Sequence, residues 1–369
     1  MKTDRNMKTY RQNRWREGVI PKVISHKLSS SIFYHKLTLS KFSIMTLLPL
    51  LFSCQDILES PEETDDLECH TIMKVSGSHR GLAGSSLDIF TFDSSKAGLL
   101  DSYQRCEGFS GSELYLRSGS GEKNVFACSD GQRSRQEWSI VNSRESLDGL
   151  YADLRKERRA HLCMTGSASM DAGSGQSCDI RMRTLTSEIV LNSVSCDFSG
   201  RAYQDREISD VRVYLTNVNA QCRLTAEGEV MPVEIINAGG LDEEDLSQMA
   251  EPDMLVQEIP EGITEDVSEV GISLLCYPNA SRKESPGTPF TRLVIEGKID
   301  GETFWWPIDI NREDGIEEPG IHRCRQYIYD VTITRKGSHD PDKTVETDAV
   351  RLQLNIKPWE EKDRYQVSF

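Results

Sequence analysis

Apolar and polar positions alternate along most of residues 68–369, in twelve short runs: HTIMKV from His70, SLDIFTF from Ser86, ELYLRS from Glu113, KNVFAC from Lys123, CDIRMR from Cys178, SEIVLNSV from Ser187, VRVYLTNV from Val211, GISLLCY from Gly271, RLVIEGKI from Arg292, TFWWPIDI from Thr303, YIYDVTIT from Tyr327 and VRLQLNI from Val350. A period of two puts successive side chains on opposite faces, and clusters of Gly, Ser, Asn, Asp and Pro separate the runs. The pattern predicts a mainly β chain of antiparallel sandwiches. Helical spacing is confined mainly to Ser143–Arg159, where Leu147, Leu150, Tyr151 and Leu154 recur at i, i+3, i+4 and i+7 behind a Ser143 cap. A weaker helical stretch is expected at Asp242–Met249. The polar, Gly-containing segment 197–210 reads as a linker, which predicts one β-sandwich at 69–202 and a second at 203–369. No short-period repeat is present, so solenoids and propellers are excluded.

The first part of the chain has a different character. Residues 36–54 read KLTLSKFSIMTLLPLLFSC, with Lys36 and Lys41 ahead of an apolar stretch that ends in the small Ser53. This is the layout of a secretory signal. The stretch falls short of the ~20 apolar residues of a transmembrane helix, and Pro49 interrupts it. Residues 1–35 precede the signal's own basic region and fit a start codon placed too early. After Cys54 the sequence QDILESPEETDDLE is acidic and lacks an apolar pattern, so 54–68 reads as a solvated tether.

Charge sharpens this division. The chain holds 43 Lys and Arg against 59 Asp and Glu, a net −16. Ten of the basic residues and only two of the acidic ones lie in 1–53, so a basic leader is joined to an acidic body. Phosphate backbones select basic faces, and the body's sign argues against a nucleic-acid partner. Ten cysteines are present; without Cys54 an odd nine remain, none in a C-x-x-C pair. Mostly isolated thiols are expected, with no zinc site.

Catalytic signatures are missing from the sequence: no G-x-S-x-G elbow, Walker loop, H-E-x-x-H helix or dinucleotide fingerprint occurs. The body's His70, His79, His161, His322 and His339 show no ligand spacing. In the acidic loop Asp309–Glu318, Gly315 sits one place late for an EF-hand and no Glu closes the loop, so it reads as a turn. The run RKERR at Arg155–Arg159 reads as the solvated face of the predicted helix. Trp305 and Trp306 are consecutive in a strand, so one points to the core and the other outward. No enzyme, cofactor or metal is expected.

Several short motifs follow one another in a telling order. Leu51, Phe52, Ser53 and Cys54 resemble the lipobox of bacterial lipoproteins. HLCMTG at His161–Gly166 places Met164 and Gly166 in a Met-x-Gly element with Cys163 where Pro is usual. In IRMRTLTSEIVLNSV, Arg183 matches and Glu188 departs from the expected Lys. WWPIDI at Trp305–Ile310 is followed by IHRCRQYIYDVTITRKGSHDPD, an Arg-x-x-x-Tyr, Thr-Ile, Gly hairpin, and LNIKPWEEKDRYQVSF closes the chain. Together, over residues 68–369 and the lipobox, they resemble the fimbrillin superfamily, the lipoprotein-derived subunits of type V pili.

That resemblance implies two transthyretin-like β-sandwiches and assembly by strand exchange. It implies that Cys54 is acylated, holding the exported chain to the outer membrane. A protease cutting after Arg removes a family member's first strand, and Arg80 and Gly81 lie in the matching loop. The vacated groove accepts a neighbour's C-terminal strands, for which Val350, Leu352, Leu354, Ile356, Trp359, Tyr365, Val367 and Phe369 are the candidates. The partners implied are other pilus subunits and a host or bacterial surface receptor. The expected role is a minor or tip subunit or a cell-surface anchor; the rival is a glycan-binding surface lipoprotein using Trp305 or Trp306.

Overall fold

The computed structural model describes residues 69–77, 85–109, 113–129, 132–175, 177–313, 315–343 and 350–359. The expectations placed on Leu51, Phe52, Ser53, Cys54, Arg80, Gly81, Tyr365, Val367 and Phe369 lie outside the described residues.

Each of the twelve alternating runs lies within or largely overlaps a strand. The first lobe contains β1 (Cys69–Gly77), β2 (Ser85–Asp93), β3 (Leu99–Phe109), β4 (Glu113–Ser118), β5 (Gly121–Ser129), a one-turn helix α1 (Arg144–Asp148), β6 (Tyr151–Asp153), β7 (Met164–Ala172) and β8 (Cys178–Thr184). Its seven-stranded sheet runs β3-β2-β5-β7-β8-β1-β4. β8 joins β7 only at its end, through Thr184 and Arg183, and then runs alongside β1, so the sheet turns back on itself. Between the facing layers lies a core of Met73, Leu87, Ile89, Leu116, Val125, Ala127, Met170, Ile180 and Met182. Alternation carries Phe90, Phe92, Phe126 and Cys128 to the opposite face, where they meet Trp138, Leu147 and a larger core shared with the second lobe.

The second lobe adds β9 (Ser187–Cys196), β10 (Ser209–Thr216), β11 (Val218–Asn219), β12 (Gln221–Arg223), β13 (Ile235–Ile236), α2 (Glu243–Ser247), β14 (Val256–Ile259), β15 (Ser268–Cys276), β16 (Arg292–Ile299), β17 (Glu302–Asp309), β18 (Arg325–Ile333) and β19 (Val350–Pro358). Two four-stranded sheets, β14-β10-β16-β17 and β15-β9-β18-β19, face each other across the core. The sheets part the chain at a different place from its composition. β9 precedes residue 203, yet it is hydrogen-bonded between β15 and β18. The changeover between lobes therefore lies at Leu185–Thr186. Segment 197–210 connects β9 to β10, and it anchors itself with the buried Phe198, whose ring meets Tyr203 edge-on at 5.1 Å.

The predicted long helix is also corrected. Ser143 does cap α1, accepting from the Ser146 N–H, but the helix ends at Gly149. Residues 151–153 instead pair with β12, and Leu154–Lys156 form a 3-10 turn. Strand pairing between lobes outweighs a helical spacing that buries only one side. The RKERR run is accordingly no solvated helix face: Glu157 is buried and accepts from the Cys163 N–H at 2.9 Å and the Tyr277 hydroxyl at 2.7 Å. The second helix forms as expected, with Asp242 at its cap. The eight cysteines whose thiols are described are free, and Cys128 and Cys163 bring their sulfurs to 3.9 Å.

Candidate functional site

β1 occupies an internal place in its sheet. It runs parallel to β8, from Met73 opposite Cys178 to Gly77 opposite Met182, and antiparallel to β4, from Cys69 opposite Ser118 to Lys74 opposite Glu113. Thr71, Met73 and Val75 point inward and are buried, whereas Ile72 is 39% exposed. Only two large apolar side chains thus fill the place, contributing roughly 1.5–3 kcal/mol each. Among the described residues β4 has no other strand partner. With β1 gone, the inner edges of β8 and β4 would face each other with unpaired ladder groups above an apolar floor that includes Ile180, Met182 and Leu116.

β19 is built in the opposite way. Among the described residues it pairs with β18 alone, in register from Arg325 opposite Pro358 to Ile333 opposite Val350, and no described strand lies on its other edge. The predicted Val350, Leu352, Leu354 and Ile356 share one face, on the same side as the buried Tyr327, Tyr329, Val331 and Ile333. Val350, Leu354 and Trp359 pack partly on the core, while Leu352 and Ile356 remain 38% and 36% exposed. β1 and β19 are both nine residues long. A two-sided internal strand and a half-covered edge strand of matching length and period therefore stand on one chain, in different lobes.

A buried ion-pair cluster lies ahead of β19 in the chain. Just ahead of the strand, Asp342 accepts from Asn217 Nδ2 at 2.8 Å and pairs with the buried Arg292, which also holds Glu284 at 2.6 Å and Asp309 at 2.7 Å. Burial raises the Asp309 pKa, and the Arg292 guanidinium opposes the shift. Asp309, first residue of the acidic loop, is thus committed to an arginine. Among the described residues β19 itself gains one ion pair, between Arg351 and Asp197.

Arg323, the arginine of the Arg-x-x-x-Tyr motif, ties the lobes together. It is buried and donates to the carbonyls of Arg183 and Ala226 at 2.8 Å and Thr184 at 3.2 Å, and to Thr165 Oγ1 at 3.0 Å. Burial pulls its pKa below the ordinary arginine value. The motif's Tyr327 receives the His322 N–H at 2.9 Å. Its glycine is also explained: a Cβ on Gly337 would lie 2.2 Å from the Trp305 carbonyl oxygen, where the 338 segment bridges to β17. Gly166 of the Met-x-Gly element has the same cause, with the Arg181 carbonyl oxygen 2.6 Å from a Cβ. Trp306 is fully buried, and Trp305 on the opposite face gives its indole N–H to Glu296 at 3.1 Å.

No protein-family model matches the sequence, and no curated protein matches it. Solved structures do. A candidate cell adhesion protein from Bacteroides eggerthii is 15% identical and superposes with a TM-score of 0.59, covering 79% of this chain and 96% of its own. A fimbrilin from Porphyromonas gingivalis, 13% identical, gives 0.55 over 79% of this chain and 97% of its own. A tip fimbrial protein from Porphyromonas gingivalis with a C-terminal truncation gives 0.50 at 11% identity, over 79% and 100%. These matches span both lobes and show that the chain shares the fold of these adhesion and fimbrial proteins.

Proposed function

We propose that the chain is an exported, non-enzymatic pilus component, a minor or tip subunit or the cell-surface anchor, that assembles by β-strand exchange. The supporting observation is the pairing of opposites: β1 is internal, two-sided and thinly anchored, while β19 is a one-sided edge strand with its apolar face half open. In strand addition, ladder hydrogen bonds supply affinity and alternate side chains supply register. Val350, Leu352, Leu354 and Ile356 have the period that the Thr71, Met73, Val75 places require. Chain order favours the same reading, because Arg80 and Gly81 fall between β1 and β2 and a cut there releases β1 together with everything ahead of it. Cys54 would carry the lipid, and Trp359, Tyr365, Val367 and Phe369 would extend the donor.

Mass spectrometry of the mature N-terminus tests this in membrane and pilus fractions. Acylated Cys54 in membranes with Gly81 first in pili supports a polymerising subunit; acylated Cys54 in both supports the anchor. An unacylated chain that starts ahead of Cys54 in both fractions contradicts the proposal.

A further inference from the structure

The first lobe's sheet curls until its edge strands, β3 and β4, meet. Gln104 Nε2 on β3 donates to the Arg117 carbonyl on β4 at 3.2 Å, and the Gly119 N–H reaches Asp101 Oδ2 at 2.8 Å. Beside this seam is a cavity of about 690 Å³, bordered by the 3-10 turn at Glu137–Ile140. The volume is within the ~300–1,000 Å³ of small-ligand clefts. Behind the cavity Phe90 packs at 5.1 Å from Trp138 and 5.0 Å from Tyr103, ring centre to ring centre, with Phe90 and Trp138 buried. Tyr115, 75% exposed, stands on the β4 wall.

Three arginines, Arg105, Arg117 and Arg135, line the same cavity. Arg105 is already neutralised by Glu107 at 2.7 Å and Asp88 at 3.5 Å. Arg117 and Arg135 are exposed and have no acidic partner among the described residues. In a chain of net −16, these are two guanidinium groups with no carboxylate partner among the described residues, beside the exposed Tyr115. Guanidinium forks take carboxylate or sulfate in a bidentate manner, and aromatic faces cover the apolar face of a pyranose ring.

We infer that this cavity binds an acidic sugar, a pyranose unit bearing a carboxylate or sulfate at the end of a glycan, with Arg117 and Arg135 on the anion and Tyr115 against the ring. One exposed aromatic ring, Tyr115, on the same wall as Arg117 suits a single sugar ring bearing an anion better than an extended acidic peptide. The site stands on the cavity alone and needs no strand exchange. Its β4 wall nevertheless depends on the β1 place being filled, because β1 is the one strand paired with β4 among the described residues.

Calorimetric titration of the full chain with 3′-sialyllactose, 3′-sulfolactose, lactose and a hexaglutamate peptide tests the inference. Sialyllactose or sulfolactose, whichever anion is the natural one, binds about tenfold or more tighter than lactose, and its binding weakens as salt rises. Arg117→Ala with Arg135→Ala, and separately Tyr115→Ala, each reduce that binding about tenfold or more with unchanged melting curves. Three results overturn it: no binding of either acidic oligosaccharide at about 10 mM, equal binding of lactose or hexaglutamate, or wild-type affinity in the folded variants.

Discussion

Arg323 hydrogen-bonds across the two lobes. Replacing it with Met leaves the carbonyls of Thr184, Arg183 and Ala226 buried without their donor, each worth ~1–3 kcal/mol. Arg323→Met should lower the unfolding free energy by about 3 kcal/mol or more in urea, and Arg323→Lys should recover only part of it, because an ammonium lacks the planar fork. A change below ~1 kcal/mol would show that the carbonyls find other donors. A second residue-scale consequence concerns alkaline pH. Burial pushes the phenols of Tyr103 and Tyr327 and the thiols of Cys222 and Cys276 up to about 12. Unfolded thiols ionise near 8.5 and phenols near 10, so this stabilisation is complete below about pH 8.5 and is lost as pH rises toward 12. The urea midpoint should fall steadily between about pH 8 and 11; a flat profile would contradict the burial of these groups.

At the scale of elements, β19 separates stability from assembly. Leu352 and Ile356 are more than a third exposed, so Leu352→Asp and Ile356→Asp should each change stability by less than about 1 kcal/mol. The same changes should block incorporation into pili, because a carboxylate cannot enter an apolar groove unpaired. Met73→Asp, in the buried face of β1, should destabilise the first lobe by several kcal/mol. Normal incorporation of the β19 variants would count against a donor role. Element identity was largely legible in the sequence, because a period of two is a local signal and all twelve runs met a strand. β3 was missed since LLDSYQRCEGF has polar residues on both faces at the sheet edge, and β7 because MTGSASMDA is small and polar between its buried Met164 and Met170. The helix was overextended because β6 is defined by its partner β12, 70 residues on. The Arg-x-x-x-Tyr spacing pointed to Arg323 and Tyr327 without revealing their partners, and the sugar cavity needs two edge strands that only the curl of the sheet brings together.

For the whole molecule, the shared core matters more than the connection between halves. One buried cluster reaches from Phe90 and Trp138 in the first lobe to Trp306 and Ile333 in the second. The expected result is therefore a single cooperative transition for 69–369. Fluorescence from a variant retaining Trp138 and from one retaining Trp306 should give coincident urea midpoints. Separate midpoints would mean that the lobes fold as independent domains. Composition could not reveal this, since a polar segment such as 197–210 records contact with water and not which sheet lies on either side of it.

Strand exchange between chains is the central claim, and a photo-crosslinking residue placed at Ile356 in cells assembling the pilus tests it most directly. The account predicts cross-links from Ile356 to groove residues such as Ile180 or Met182 of another subunit, mapped by mass spectrometry. Cross-links confined to the same chain's β18, in cells where the protein is incorporated into pili, would contradict it.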